Sequence, residues 1–314
     1  IDERWGYIDV NGEFTIQPAF EDARPFSNGL AAVRLGGAWG FINKDGEWVV
    51  SPSYETVLSF REERAAVSLN GKIAFINLHG EAVTDFEFEQ AGVFSDGLAK
   101  TVTYETVVNR EMVKYLDRNG KVAIDLNRVL RELTGTTKSG PAWRPFNEKY
   151  DGYLYAGPPE EFERTLSRGD HRHDFDPTLS QFCDGLLLVR SKGLYGYLNR
   201  SGELAIPFQF YDACVFSEGS AWVHQTPPPA DVSYEEMRAT YLCGFIDKTG
   251  AVIIEPAFSH ARNFKDGVAY VEAGEKKYFI DKTGRTVFEI GGKVGEVGDF
   301  SDGFAPVARR PLAM

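Results

Sequence analysis

The densest set of reactive side chains is the stretch RGDHRHDFDP, Arg168 to Pro177. Asp170, His171, His173, Asp174 and Asp176 include groups able to ligate a divalent ion or to move a proton. A metal would draw on His171, His173 and Asp174. H-x-H is a two-ligand fragment, however, and no cysteine or further histidine follows at a zinc-like spacing. A stretch this polar reads as a solvated loop, so no metal, no cofactor and no catalytic residue are expected. The RGD triplet Arg168 to Asp170 is short enough to be coincidence.

Other reactive signatures are missing from the sequence. It has no G-x4-G-K-[ST], no G-x-G-x-x-G after a strand, no G-x-S-x-G and no H-E-x-x-H. Carboxylates are plentiful, but Asp96, Asp266 and Asp302 sit in a recurrent F-x-D-G loop and recur as turn formers. His79, His224 and His260 stand alone and are expected to be structural or exposed. The chain therefore reads as a non-enzyme.

Composition narrows the classes further. Hydrophobic residues make up 43% of 314, which excludes a disordered chain, and 32 glycines suit an all-β protein with many tight turns. A net charge of −12 argues against nucleic acid as a partner, because a phosphate backbone needs a basic face. No apolar run approaches the roughly 20 residues of a membrane span. The chain opens at Ile1 already inside a motif, IDERWGYIDV, with no signal peptide. With its three unpaired-looking cysteines, that gives an expected cytoplasmic location.

What positions side chains in this protein is a repeat. The phenylalanines Phe26, Phe60 and Phe94 fall at equal steps, and Phe146, Phe182, Phe216, Phe264 and Phe300 continue the series with two longer gaps. Within one unit, Leu30 to Arg34 reads as a strand, Gly36-Gly37 as a positive-φ hairpin turn and Trp39 to Asn43 as a second strand. Asp45-Gly46 reads as a type I′ turn and Glu47 to Val50 as a third strand, ended by Pro52 because proline cannot continue a ladder. The unit is thus a three-stranded antiparallel meander of about 34 residues. The aromatics before the S-x-G loop are read as core between repeats. Cys183, Cys214 and Cys243 take the slots of Ser27, Arg24 and Trp39, as free thiols.

Trp5-Gly6 in RWGYID, Trp39-Gly40 in AWGFIN, Tyr195-Gly196 in LYGYLN and CGFIDKTG from Cys243 resemble the WG repeats, or KWG repeats, of bacteria. FSDGLA and the elements Pro18 to Phe20 and Pro52 to Tyr54 fit that pattern too. Ala74, Lys114-Tyr115 and Lys277-Tyr278 depart from it. The resemblance implies an all-β repeat scaffold serving interactions, with no catalytic residues to carry over.

One meander cannot bury both of its faces, so neighbours must stack. The expected fold is all-β, about eight meanders stacked as an open superhelix or solenoid. The alternative is a closed toroid or propeller-like ring, since the chain begins at a second strand and ends after a first. The chain is divided into repeats over 1–125, a degenerate repeat with helical insertions over 126–181, and repeats over 182–314, forming one continuous repeat domain. In the long break, Asn127 to Leu133 and Pro158 to Gly169 read as helices. In the short break, 226–241, Ser233 and Glu236 form a capping box after the prolines Pro227 to Pro229. Insertions in repeat proteins often mark the binding face. Trp143, Arg144, Tyr150, Tyr153 and Tyr155 are of the types that dominate hot spots, and with His171 and His173 they form the candidate binding set. The expected function is a protein-interaction scaffold whose partner is another protein. Glycan or small-ligand binding on an aromatic face, and an inhibitory or immunity-type role, are the alternatives.

Overall fold

A computed structural model describes residues 4–9, 11–105, 110–134, 181–191, 193–227, 233–291, 294–300 and 303–309. The chain divides into two compact units, 1–177 and 178–314. Among the described residues there are eight small antiparallel sheets, none closed into a barrel, and two helices, Leu126–Thr134 and Tyr234–Thr240.

The repeating sheet has four strands rather than the three expected. In one copy these are Asp22–Ala23, Ala31–Leu35, Ala38–Ile42 and Trp48–Tyr54, hydrogen-bonded in sequence order. The extra edge strand is two residues long, too short to show any alternation in the sequence. Asp22 pairs with Arg34 and Ala23 with Val33.

The turn chemistry differs from the expectation in an instructive way. The S-x-G loop, not the Asp-Gly pair, is the type I′ turn. Asn28 and Gly29 both have positive φ (51° and 85°), and Ser27 and Leu30 exchange two backbone bonds across them. The hairpin at Asp45-Gly46 has only its glycine in the left-handed region. Asn43 opens that loop, its Oδ1 accepting from the N–H of Asp45 at 3.0 Å and of Glu47 at 2.9 Å. This is a three-residue loop of the type I plus left-handed glycine kind. Asp9, Asn77, Asp117, Asn199, Asp247 and Asp281 play the part of Asn43 in the other hairpins.

Pro52 does not end its strand, which runs on to Tyr54. Trp39 faces Tyr54 and Phe41 faces Val50, so Ser51 to Ser53 stand opposite the single residue Gly40. The proline occupies this bulge, where it breaks no ladder bond. The bulge also explains the glycine of the Trp-Gly pair. A Cβ on Gly40 would lie 2.5 Å from Val50 O and 2.8 Å from Pro52 N. Gly6, Gly196 and Gly244 face the same crowding from Ile16, Ile206 and Ile254 and the bulges that follow them. Where Lys114 and Tyr278 replace the glycine, the facing strands pair without such a bulge and carry no proline. Ala74 faces a segment with the same excess of residues, Ala82 to Phe88, but without a proline. Glycine and proline about twelve residues apart are one device.

Stacking gives the strands their composition. Ala31, Ala32 and Val33 are all buried because neighbours cover both faces. Ala31 and Val33 join a cluster with Ile16 and Phe20, while Ala32, Trp39 and Phe41 join the next with Val57, Phe60 and Val67. Before four of the I′ turns, the phenylalanine packs on an aromatic of the preceding meander. The pairs are Phe41–Phe60 at 4.8 Å, Phe75–Phe94 at 5.0 Å, Tyr197–Phe216 at 4.9 Å and Phe245–Phe264 at 5.0 Å. The core between repeats is where the sequence placed it.

Among the described I′ turns, one lacks glycine. Glu62 and Glu63 hold φ of 47° and 64°, although a side chain there costs on the order of 1 kcal/mol. Glu63→Gly is therefore expected to raise stability by ~0.5–1 kcal/mol, the gain being trimmed by glycine's freedom in the unfolded chain. A rise in the urea midpoint measures it, and an unchanged or lower midpoint would show that the turn is not strained.

Candidate functional site

Trp143, Arg144, Tyr150, Tyr153, Tyr155, His171, His173 and Asp174, with the helix expected at 158–169, lie outside the described residues. The root of their insertion is described. Helix Leu126–Thr134 buries Leu126 and Leu130, and Asp125 Oδ1 accepts from Arg128 N at 2.9 Å. Asn127 Oδ1 accepts from Val113 N at 2.7 Å, fixing the helix to the strand Arg110–Asp117.

The recurring carboxylates are absorbed by the frame. Among the described residues, five I′ turns offer their second residue to the next turn. Asn28 Oδ1 accepts from Glu63 N, and Glu62 accepts from Gly97 N at 2.8 Å. Asp184 accepts from Gly219 N at 2.7 Å, Glu218 from Gly267 N at 3.0 Å and Asp266 from Gly303 N at 2.7 Å. These bonds staple one meander to the next, which accounts for the F-x-D-G acids without chemistry. Asp96 and Asp266 have the positive φ expected of turn formers, and Asp302 lies outside the described residues. A second set of acids closes the first hairpin. Glu21 accepts from Gly36 N and Gly37 N, and Glu55 from Asn70 N and Gly71 N. The Gly37 and Gly36 N–H groups hold the Glu21 carboxyl below its usual range.

The second insertion departs from that plan. Tyr211 stands in the place of Glu21, its N–H donating to His224 O as Glu21 N donates to Arg34 O. No carboxylate is needed there, because residues 226–241 replace the two-residue turn. Helix Tyr234–Thr240 starts with the expected capping box. Glu236 N donates to Ser233 Oγ at 3.2 Å, and Ser233 N donates back to Glu236 Oε2 at 3.0 Å.

His224 is not isolated. It ends the strand Ser220–His224 with 7% of its surface exposed. Its ring stacks on Tyr241 at 3.8 Å and 12°, and meets Trp222 edge-on at 5.9 Å. It bonds the Leu242 backbone, while Nδ1 is buried with no hydrogen-bond partner. Burial depresses its basicity to about 4. Around it, burial pushes Tyr241 and Cys243 up to about 12. Burial also raises Asp212 from its ordinary value, against the pull of the Ala213 N–H and Arg190. The Arg190 guanidinium lies over the Tyr195 ring at 5.0 Å. Histidine, tyrosine, cysteine and aspartate meet here around an insertion root, and sequence spacing gave no sign of it.

The cysteines take their expected slots. Cys183 pairs with Leu186 as Ser27 does with Leu30, Cys214 N donates to Trp222 O as Arg24 N does to Ala32 O, and Cys243 faces Phe258 as Trp39 faces Tyr54. All three are free thiols. Among the described residues no three His, Cys, Asp or Glu side chains cluster to hold a metal, and no helix is long and apolar enough to cross a membrane.

A family model described as WG containing repeat matches residues 5–37, 39–72, 74–102, 195–225 and 244–276. No curated protein matches the chain. Among solved structures, one titled as the eukaryotic initiation factor aligns over 85% of this chain and 64% of its own length, with 11% identity and a TM-score of 0.46. The chain thus spans less than two thirds of that relative. A protein of unknown function from Bacteroides caccae aligns over 82% of this chain and 92% of its own, with 12% identity and a TM-score of 0.25. Neither likeness bears on function.

Proposed function

The chain belongs to the WG containing repeat family, and from that premise we propose that it is a non-enzymatic scaffold that binds another protein through its two insertions. The repeat scaffold itself follows from the family and the meanders. One observation supports placing specificity in the insertions: the recurrent acids and aromatics of the meanders are spent on turns, staples and core. What does not recur is 126–181 and 226–241. Their described roots are fixed to the frame by Asn127 and by Tyr241 on His224. In the longer insertion, Trp143, Arg144, Tyr150, Tyr153 and Tyr155 supply the residue types that anchor interfaces, with His171 and His173 beside them.

The test is a pull-down comparing the intact chain with one whose 135–180 segment is a short linker. Loss of a specifically recovered protein is the expected result. Equal recovery by both would remove this reading.

A further inference from the structure

Residues 226–241 interrupt the hairpin between the strands Ser220–His224 and Cys243–Asp247. In two other meanders Glu21 and Glu55 close that junction on a glycine-bearing turn; here His224 lies against it. His224 touches both returning residues of the insertion, stacking on Tyr241 and bonding the Leu242 backbone. Because the ring is 7% exposed and its Nδ1 has no partner, the slot suits a neutral imidazole. A proton on Nδ1 would place a cation and an unmet donor in an apolar setting.

We propose that His224 is a proton-operated latch, neutral when it holds Tyr241 and Leu242, at the C-terminal end of helix Tyr234–Thr240, against the frame and charged when it lets them go. This deepens the scaffold reading, on which it rests for its biological use. The groups facing the latch do not supply a ready counter-charge. From the edge strand, Asp212 is the register partner of His224, but its Oδ1 is engaged by Ala213 N and burial raises its pKa from the ordinary aspartate value. Tyr241 from the insertion and Cys243 from the next strand are held protonated by burial. Arg190 and Tyr195, from the preceding meander, add a cation on the Asp212 side.

The direction with pH follows from linkage. The folded-state pKa of about 4 lies below the ordinary 6.5. The latch is therefore fully closed above about pH 6.5 and weakens as pH falls from there through about 4.

Brief digestion of the full chain with proteinase K, from about pH 7.5 to about pH 4, reads the latch through cuts within Tyr234–Thr240. Cutting there, relative to cuts elsewhere, is expected to rise at least ~10-fold over that range. His224→Phe keeps a flat ring without a titrating nitrogen, and should abolish the rise. Tyr241→Leu removes the stack and should give fast cutting already at neutral pH. Carbon-13 NMR of the histidine rings follows His224 directly, so the question survives if His224→Phe fails to fold. An identical rise in the His224→Phe chain would overturn the latch. So would a His224 that titrates at its ordinary value while the helix stays protected. The readout needs no partner, so failure of the latch and failure of the scaffold reading are separate results.

Discussion

Phe264→Ala is expected to destabilise the 178–314 unit by about 4 kcal/mol. Phe264 is fully buried and meets Phe245 edge-on at 5.0 Å, in a cluster with Phe258, Val271 and Ile280. Removing the ring forfeits its transfer from water and leaves a cavity lined by strands of two meanders. Those strands are tied by the turn on either side: Ser217 Oγ donates to Phe264 O at 2.8 Å, and Glu218 accepts from Gly267 N. The walls therefore have little room to collapse, which puts the cost toward the upper part of the range for such truncations. Against a total of roughly 5–15 kcal/mol for a domain, much of the margin would go. Urea denaturation checks it, and a loss under about 1 kcal/mol would mean that the aromatic ladder is not the core between repeats.

The second large effect is Gly244→Ala, a change of one methyl group, expected to cost about 3 kcal/mol. A Cβ there would meet Pro256 N at 2.7 Å and lie closer still to Ile254 O, both backbone atoms that cannot rotate away. Gly37→Ala is the control. Its φ is +81° and nothing lies within 4 Å, so it pays only for the left-handed backbone, on the order of 1 kcal/mol. If the Trp-Gly glycine served turn freedom alone, the two substitutions would cost the same. A larger loss at Gly244, measured by the same unfolding curves, identifies close approach to the bulge as the reason for the motif.

These contrasts show what was readable in the sequence. The period of the phenylalanines, the free thiols, the helix after Asp125 and the Ser233–Glu236 cap rest on local spacing, and local spacing is visible in one dimension. The two-residue strand Asp22–Ala23 is too short to carry a pattern. Pro52 was misplaced as a strand end because its tolerance depends on a bulge, and the bulge exists only once Trp39 is set against Tyr54. The Gly40–Pro52 coupling hides for the same reason. His224 looked isolated because Tyr241 is brought back to it by the fold of an insertion. The acids of the F-x-D-G loop were recognised as turn formers, but their second duty, bonding the following turn, needs the stacking of meanders to appear.

The most direct test of the scaffold reading removes both insertions while mending the frame. Residues 135–180 become a short linker, and 226–241 become Gly-Gly, so that Gln225 and Leu242 flank the turn as Leu35 and Ala38 do. Tyr211→Glu supplies the carboxylate that Glu21 gives to Gly36 and Gly37. The partner recovered by the intact chain is then titrated calorimetrically against the mended chain, alongside its urea midpoint. The expected result is a midpoint no lower than that of the intact chain, with no binding heat. Undiminished affinity in a folded, insertion-free chain would contradict it and place recognition on the meanders themselves.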